Sequence, residues 1–202
     1  MATPRARSSS SQTAIRALFE ASARAREVFL QENADALERA VDVVAEALGA
    51  GRKLLLFGNG GSAADAQHLA AELVGRFQRE RRPLPAIALT TDSSALTAIA
   101  NDYGYDQVFA RQVRALGARG DVALAISTSG RSPSVLRAVE AARSLGMRTI
   151  GLTGGDGGAL AGLVEVSLRV SASSLSCRIQ ETHILIGHVL CELVDRRLFG
   201  GS

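Results

Sequence analysis

The sequence has few of the features that mark secreted, disulfide-rich or membrane-spanning proteins. It contains only two cysteines, Cys177 and Cys191, in 202 residues, and no CxxC pair. Disulfide scaffolds belong to short, cysteine-dense chains, so none is expected. No apolar run reaches the roughly 18 residues of a membrane span, and the Arg- and Ser-rich N-terminus is not followed by the apolar segment of a secretory signal. We therefore expect no membrane association and a cytoplasmic location.

The sequence also lacks a strong concentration of charge. The formal net charge is only +3, and it is spread along the chain. The one dense basic cluster surrounds Glu80 and consists of Arg76, Arg79, Arg81 and Arg82. Proteins that bind nucleic acid usually carry a larger basic patch. A nucleic-acid partner is therefore not expected, whereas anionic small molecules would suit this mild excess of positive charge.

Short apolar runs alternate with helical patterns along most of the chain. The runs cover residues 53–57, 86–90, 122–126, 149–152 and 164–170. Runs of this kind between helices are typical of a parallel sheet that is covered on both faces. We predict a three-layer α/β/α sandwich with a five-stranded parallel sheet. It forms a single domain over residues 12–202, a length that can bury a sizeable core, after a flexible tail at residues 1–11.

A helical pattern precedes the first strand. It covers residues 12–49, and a break near Glu32 and Asn33 divides it into two predicted helices, the second capped by Asn33 or Asp35. This helical pair carries much apolar surface and has no partner strand. It packs either on another subunit or along the side of its own domain, and the sequence leaves both alternatives open.

Two polar loops follow predicted strands at the sheet edge where ligands bind in such folds. Residues 58–62 are Gly-rich, which permits close backbone approach to a ligand, although a tight turn is the simpler interpretation. Residues 127–134 carry several hydroxyls, with Ser132 as the predicted N-cap and Pro133 at the first helical position. A helix N-terminus attracts anions, so this loop is a candidate phosphate site, although an ordinary capped loop fits the same pattern.

Two predicted helices carry histidines beside polar side chains. His68 and Glu72 stand at i and i+4 on one helix face. This spacing is compatible with a general base and with ligands of a divalent metal, but a plain surface pair fits it as well. Gln180 and His188 lie on the predicted helix 178–198, about 12 Å apart along its axis. One compact ligand reaches both only if the helix starts after Gln180 or one residue serves a site across a subunit boundary. His183 lies on a different face from His188 and is interpreted as structural.

Taken together and in this order, these motifs resemble the sugar isomerase (SIS) domain superfamily and, within it, the phosphoheptose isomerase family. The resemblance extends over about residues 15–198 and is carried by residues 58–62 with His68 and Glu72, residues 100–106, residues 127–130 with Ser132, residues 153–158, and residues 178–181 with His188. A non-enzymatic relative that binds the replication initiator shares part of this pattern, but it is expected to lack a carboxylate and an imidazole like those of Glu72 and His188. Their presence here favours an enzyme over a non-catalytic protein that binds a phosphosugar or the initiator.

The resemblance implies a homotetramer with sites shared between subunits, one zinc ion per subunit, and isomerisation of sedoheptulose 7-phosphate, a phosphorylated seven-carbon sugar. It makes Glu72 and His188 the catalytic acid–base pair. It assigns substrate contacts to Asn59, Gly60, Gly61, Glu72, Asn101, Asp102, Ser127, Thr128, Ser129, Ser132 and Gln180. It assigns zinc to His68, Glu72, Gln180 and His188. Whether Glu72 is the base or mainly a metal ligand stays open, as does the role of Arg131, which stands where the family often has Asn.

Overall fold

The structure is a computed structural model that describes the backbone of residues 4–200 and the side chains of residues 10–200. Helices and strands alternate through most of this range. The helices are α1 (Pro4–Gly49), α2 (Gly61–Val74), α3 (Ser93–Tyr103), α4 (Val108–Leu116), α5 (Pro133–Ser144), α6 (Gly158–Leu163) and α7 (Ser176–Phe199). A 3₁₀ turn, Tyr105–Gln107, joins α3 to α4. The strands are β1 (Leu54–Gly58), β2 (Ala86–Ala88), β3 (Val122–Ser127), β4 (Arg148–Gly154) and β5 (Val166–Val170).

The five strands form one parallel sheet in the order β2-β1-β3-β4-β5. All five predicted strands are confirmed, and no strand end shifts by more than two residues. In this order the chain adds β2 on one side of β1 and then β3 on the other side. The loops that leave β1 and β3 therefore diverge and open a crevice between them, at the position where ligands bind in doubly wound sheets.

Alternate residues of the central strands enter two separate cores, which confirms the three-layer prediction. Leu54 and Leu56 of β1 pack in the core that also contains α1, α2 and α7. Leu55 and Phe57 point the other way, into the core with α4 and α5. Successive side chains of a strand leave opposite faces, so a strand buried on both faces must be apolar at every position. That requirement explains the continuous apolar runs of the sequence.

The predicted break in the N-terminal helical region is wrong, because α1 is a single helix of 46 residues. Asn33 does not cap a second helix. Its side chain is buried, and its Nδ2 donates both to Phe29 O at 3.1 Å and to Arg169 O at 3.2 Å. Its Oδ1 accepts a bond from Arg169 N at 3.2 Å. The amide thus pairs with the backbone of the edge strand β5, a long-range contact that local pattern cannot predict.

The two halves of α1 differ in burial. The second half packs within the chain, where Phe29, Val41 and Leu48 are buried. The first half leaves large apolar side chains exposed, and Phe19 retains 76% of its accessible surface. The helix also begins at Pro4, earlier than the expected tail allowed, and residues 1–3 of that tail lie outside the described residues.

Two further differences from the sequence predictions concern helices near the C-terminus. α7 begins at Ser176, before Gln180, so the alternative in which the helix starts after Gln180 is wrong. The short helix α6 was not predicted from the sequence. Of the helices that the structure describes, none combines the length and the hydropathy that a membrane span requires.

Candidate active site

A polar cleft of about 330 Å³ lies at the carboxyl ends of β1 and β3, where the strand order switches direction. It contains every hydroxyl-bearing residue that was predicted to bind phosphate. Its lining residues are Asn59, Gly60, Gly61, Ser62, Ile126, Ser127, Thr128, Ser129, Ser132, Ser176 and Gln180. Two loops that lie 65 or more residues apart in sequence thus form one cleft, and the N-terminus of α5 adds its positive dipole end there.

Asn59 is the hydrogen-bonding centre of this cleft. Its Nδ2 donates to Ser132 Oγ at 2.8 Å and to Ser134 Oγ at 3.0 Å. Its Oδ1 accepts a hydrogen bond from the Tyr105 hydroxyl at 2.9 Å. Ser132 occupies the predicted N-cap position of α5, with Pro133 next to it, but its hydroxyl makes no capping bond. That hydroxyl instead belongs to the Asn59 network and to the lining of the cleft.

The loop after β3 is held against the turn after β4 by direct backbone contact. Gly130 has φ 63°, and a methyl group built on it would overlap Gly157 O. Leu160 N donates to Gly130 O at 3.0 Å, which fixes the same contact. The glycines therefore allow two loops to pack closely enough to hold the predicted phosphate loop in one conformation.

Arg131 forms an ion pair with Asp156 across the same two loops. Both side chains are exposed, at 60% and 67%. The hydrogen bond from Arg131 lowers the pKa of the Asp156 carboxyl, and the same bond raises the pKa of the guanidinium. Arg131 therefore neither points freely into solvent nor carries an unpaired charge at the cleft.

A second cluster joins α2 to α7. His68 Nε2 lies 2.9 Å from His188 Nε2 and 3.2 Å from Glu72 Oε1. His188 also stacks beside Phe77, with ring centroids 5.6 Å apart. The structure therefore brings Glu72 and His188 together within one chain, as acid–base chemistry on a shared substrate requires.

The donor atoms of His68, Glu72 and His188 fit a zinc ion. All three lie within 4.8 Å of one another. Ligand atoms around a tetrahedral zinc are about 3.3 Å apart, close to the separations in this cluster. Because the two Nε2 atoms face each other at 2.9 Å, at least one carries no proton and has a lone pair available. Two imidazoles and a carboxylate also match the three protein ligands of a catalytic zinc site, with one position open.

Three other predicted residues lie away from this cluster in the chain. Gln180 lines the cleft and packs against Gly61, about 12 Å along α7 from His188. Asn101 and Asp102 are exposed on α3, where Asn101 Nδ2 donates to Asp102 Oδ1 at 2.8 Å. Neither of them lines the cleft.

His183 occupies a different environment from the other two histidines. It is fully buried, and its Nε2 lies 3.1 Å from Thr153 O. Burial lowers the pKa of its imidazole to about 4. The residue is therefore neutral and acts as part of the packing between α7 and β4, in agreement with its structural interpretation.

Sequence reasoning missed several residues at these two sites. Ser134 and Tyr105 bond to Asn59, and Phe77 covers His188. Asp65 lies one turn before His68 on α2, and burial raises the pKa of its carboxyl. Its i, i+3 spacing from His68 was a local signal that could have found it. The contacts of the other three span 46 to 111 residues of sequence and had no local signal.

The comparison with known proteins agrees with this arrangement. A sequence model of the SIS domain family matches residues 18–154. The chain is 57% identical to the phosphoheptose isomerase of Geotalea daltonii over 170 residues, which cover 84% of this chain and 88% of that protein. It is 55% identical to the phosphoheptose isomerase of Halorhodospira halophila, over 91% of this chain and 94% of that protein.

A solved structure shares the fold over nearly the whole chain. The phosphoheptose isomerase from Neisseria gonorrhoeae superposes with a TM-score of 0.86 at 46% identity, covering 91% of this chain and 98% of that one. With the cleft at the strand switch and the imidazole–carboxylate cluster on α2 and α7, these matches lead to one assignment. The chain belongs to the phosphoheptose isomerase family, whose members are enzymes built on the SIS domain.

Proposed function

We propose that this chain is a ketose–aldose isomerase that converts D-sedoheptulose 7-phosphate to D-glycero-D-manno-heptose 7-phosphate through an enediol. The observation that carries the proposal is the meeting of Glu72 and His188 on two helices of the family's fold, with His68 bridging them at 2.9 and 3.2 Å. A non-catalytic binding protein has no need for a carboxylate and an imidazole in such proximity. The isomerase is therefore favoured over the non-enzymatic alternative.

The substrate phosphate binds in the cleft at the N-terminus of α5. Hydroxyl groups, the glycine backbone and the helix dipole all favour a dianion there. The phosphate is held by Ser127, Thr128, Ser129 and Ser132, and the sugar is contacted by Asn59, Gly60 and Gly61, which line the same cleft. Asn101 and Asp102 bind sugar hydroxyls once a neighbouring copy of the chain completes the site.

The chemical step is proton transfer between two adjacent carbons. The Glu72 carboxylate removes a proton from C1 of the ketose and returns it to C2, and the His188 imidazole carries the hydroxyl proton from O1 to O2. The bonds balance, because one C–H bond breaks, another forms, and no redox partner is needed. His68, Glu72 and His188 would hold a zinc ion, which when bound stabilises negative charge on the enediolate oxygens. A Glu72 carboxylate that coordinates the metal is a weaker base than a free one, so its two roles compete.

The complete site is shared between subunits. Gly61 and Glu72 are eleven residues apart on α2, about 16 Å along its axis. An extended seven-carbon phosphosugar spans about 10 Å at ordinary bond lengths. One chain therefore offers the phosphate cleft and the acid–base pair too far apart for a single substrate. A neighbouring copy brings the two together, and it also brings Gln180 to the zinc site.

The exposed apolar surface of α1 supports assembly as a homotetramer. Ile15, Leu18 and Phe19 are each more than half exposed on one stretch of this helix. Between α1 and α7 there is an apolar groove of about 430 Å³, bordered by Leu30 and Leu193. Apolar surfaces of this kind mark protein interfaces.

We place the enzyme in the cytoplasm.

A turnover assay with purified protein tests the proposal. Sedoheptulose 7-phosphate is supplied and the aldose product is followed by NMR, with Glu72→Gln and His188→Ala as variants. Loss of an acid–base group lowers kcat by at least about 100-fold. Glu140→Gln is the control, because Glu140 is an exposed carboxylate on α5 that pairs with Arg137 and is not among the predicted site residues. Thermal denaturation and light scattering verify that each variant keeps its fold and assembly.

Two results would reject the proposal. Sedoheptulose 7-phosphate that binds in calorimetry without any turnover would favour the non-catalytic alternative. Full activity in Glu72→Gln or His188→Ala would remove that residue from the mechanism.

A further inference from the structure

The Tyr105 hydroxyl is the outermost group of a hydrogen-bond chain that ends in the cleft. Tyr105 belongs to the 3₁₀ turn between α3 and α4, and its side chain is exposed. Its hydroxyl lies 2.9 Å from Asn59 Oδ1. The Asn59 amide bonds in turn to Ser132, which lines the cleft.

The donors and acceptors of this hydrogen-bond chain can be assigned by counting hydrogens and lone pairs. Asn59 Nδ2 has two hydrogens and two hydroxyl acceptors, Ser132 Oγ at 2.8 Å and Ser134 Oγ at 3.0 Å. Asn59 Oδ1, an acceptor only, faces the Tyr105 hydroxyl. With the amide turned the other way, its NH₂ group would face Tyr105 and the two serines would have to donate to its oxygen. A tyrosine hydroxyl that donates to Oδ1 therefore selects the orientation in which Asn59 donates toward the cleft.

The same accounting gives an arrangement in which the Ser132 hydroxyl donates into the cleft. Its oxygen has two lone pairs and one hydrogen. One lone pair accepts from Asn59, and the other faces the Ser134 hydroxyl at 3.3 Å. Ser134 is buried, so its hydrogen has Ser132 as the available acceptor in this group. When Ser134 donates to Ser132, both lone pairs of Ser132 are occupied, and the Ser132 hydrogen is free to donate into the cleft, as a bound phosphate oxygen requires.

We propose that Tyr105 is a positioning residue for phosphate binding: through Asn59 it orients the Ser132 hydroxyl as a donor to the substrate phosphate. The inference rests on the proposed function, because it takes the cleft to be the phosphate site. Hydrogen bonds in a chain of this kind polarise one another, so loss of the first bond weakens the last. Tyr105 itself is not among the residues that line the cleft.

The test is a double-mutant cycle with inorganic phosphate as the probe. The proteins are the wild type, Tyr105→Phe, Ser132→Ala and the double variant, and calorimetry measures the Kd of phosphate for each. Tyr103→Phe is the matched control, because Tyr103 is an equally exposed tyrosine two residues away whose ring packs under Arg111. Kinetics with sedoheptulose 7-phosphate give KM and kcat for the same proteins.

We expect Tyr105→Phe to raise the Kd of phosphate and the KM of the sugar phosphate about three- to tenfold, the usual range for one hydrogen bond. The kcat and melting temperature of Tyr105→Phe stay at wild-type values. A purely structural role would instead lower the melting temperature, so a change in KM without a change in stability distinguishes the two roles. Tyr103→Phe changes neither constant. The double variant binds phosphate no more weakly than Ser132→Ala, because the two residues act along one chain.

Two outcomes would overturn the inference in different ways. If Ser132→Ala weakens phosphate binding and Tyr105→Phe does not, or if the two effects multiply in full, Tyr105 does not act through Ser132 although the cleft assignment stands. If Ser132→Ala and Tyr105→Phe both leave the Kd unchanged, the cleft is not the phosphate site. In that case the proposed phosphate site fails together with the inference.

Discussion

The Nε2 atoms of His68 and His188 lie 2.9 Å apart, although 120 residues separate them in sequence. The helices that carry them approach closely because Gly187 has no side chain. A methyl group built on Gly187 would overlap Leu69, the residue that follows His68. The absence of a side chain at one position of α7 therefore lets the next residue reach its partner on α2.

Zinc binding should depend on both of these histidines. We expect His68→Ala and His188→Ala each to lose most of their zinc after dialysis, because each removes one of three clustered donor groups. Elemental analysis with a competing chelator measures the loss. His183→Gln is the control, since His183 is buried against Thr153 and should leave the zinc content unchanged. A zinc affinity of His68→Ala equal to that of the wild type would show that this cluster is not the metal site.

Gly187→Ala should weaken zinc binding with little loss of stability. The added methyl group forces α2 and α7 apart or displaces Leu69, at a cost of about 1–3 kcal/mol, while the change from Gly to Ala in a helix gains up to about 1 kcal/mol. Chemical denaturation and zinc titration separate the two effects. Gly162→Ala in α6 serves as the control, because nothing lies within 4 Å of the added methyl group. Unchanged zinc affinity in Gly187→Ala would show that the helix spacing tolerates the methyl group.

Gly130→Ala should disrupt the loop that follows β3, the proposed phosphate site. The residue has φ 63°, and its new methyl group would meet the backbone of Gly157, which cannot move aside easily. Gly155→Ala is a sharp control: Gly155 has φ 58° but open space around it, so it carries only the left-handed backbone cost of about 1–2 kcal/mol. We expect Gly130→Ala to be clearly less stable than Gly155→Ala and to raise KM for the sugar phosphate. Equal stabilities in urea denaturation would contradict the close packing of the two loops.

The free energy of unfolding should decrease as the pH is lowered, and part of this decrease should depend on His183. Burial lowers its pKa from 6.5 to about 4, so the unfolded chain binds this proton more tightly than the folded chain does. The burial of His183 therefore has no pH-dependent effect on stability above pH 6.5. As the pH decreases from 6.5 toward 4, it lowers the free energy of unfolding by about 1.4 kcal/mol per pH unit. His183→Gln removes this proton, so the difference in unfolding free energy between variant and wild type should change across that window. A flat difference from pH 7 to pH 4 would mean that His183 does not titrate as burial predicts.

The sequence predicted the central architecture well because the signals for it are local. The buried strand segments 54–57 and 122–126 are apolar at every position because both faces of the sheet are covered, and the helices between them show the helical repeat of apolar residues. The break expected at Asn33 failed for the opposite reason. An amide that looks like a helix cap from its neighbours instead pairs with the backbone of β5, 136 residues away.

The residues of the candidate site also fall into those with a local sequence signal and those without one. His68 and Glu72 were recognisable from i, i+4 spacing, and the hydroxyls after β3 from their position at the start of a helix. Tyr105 and Phe77 gave no local signal, because each acts through a partner on a distant element.

By itself the sequence determined the alternation of strands and helices, the two polar loops at strand ends, and the residue types available for acid–base chemistry. These follow from periodicity and from neighbours along the chain. Only the tertiary structure decided that Asn59 bonds to Ser132, that Gly187 lets His188 reach His68, and that Gln180 lines the cleft of its own chain. Those relationships depend on how helices and loops pack across the sheet, and packing is a property of the whole chain.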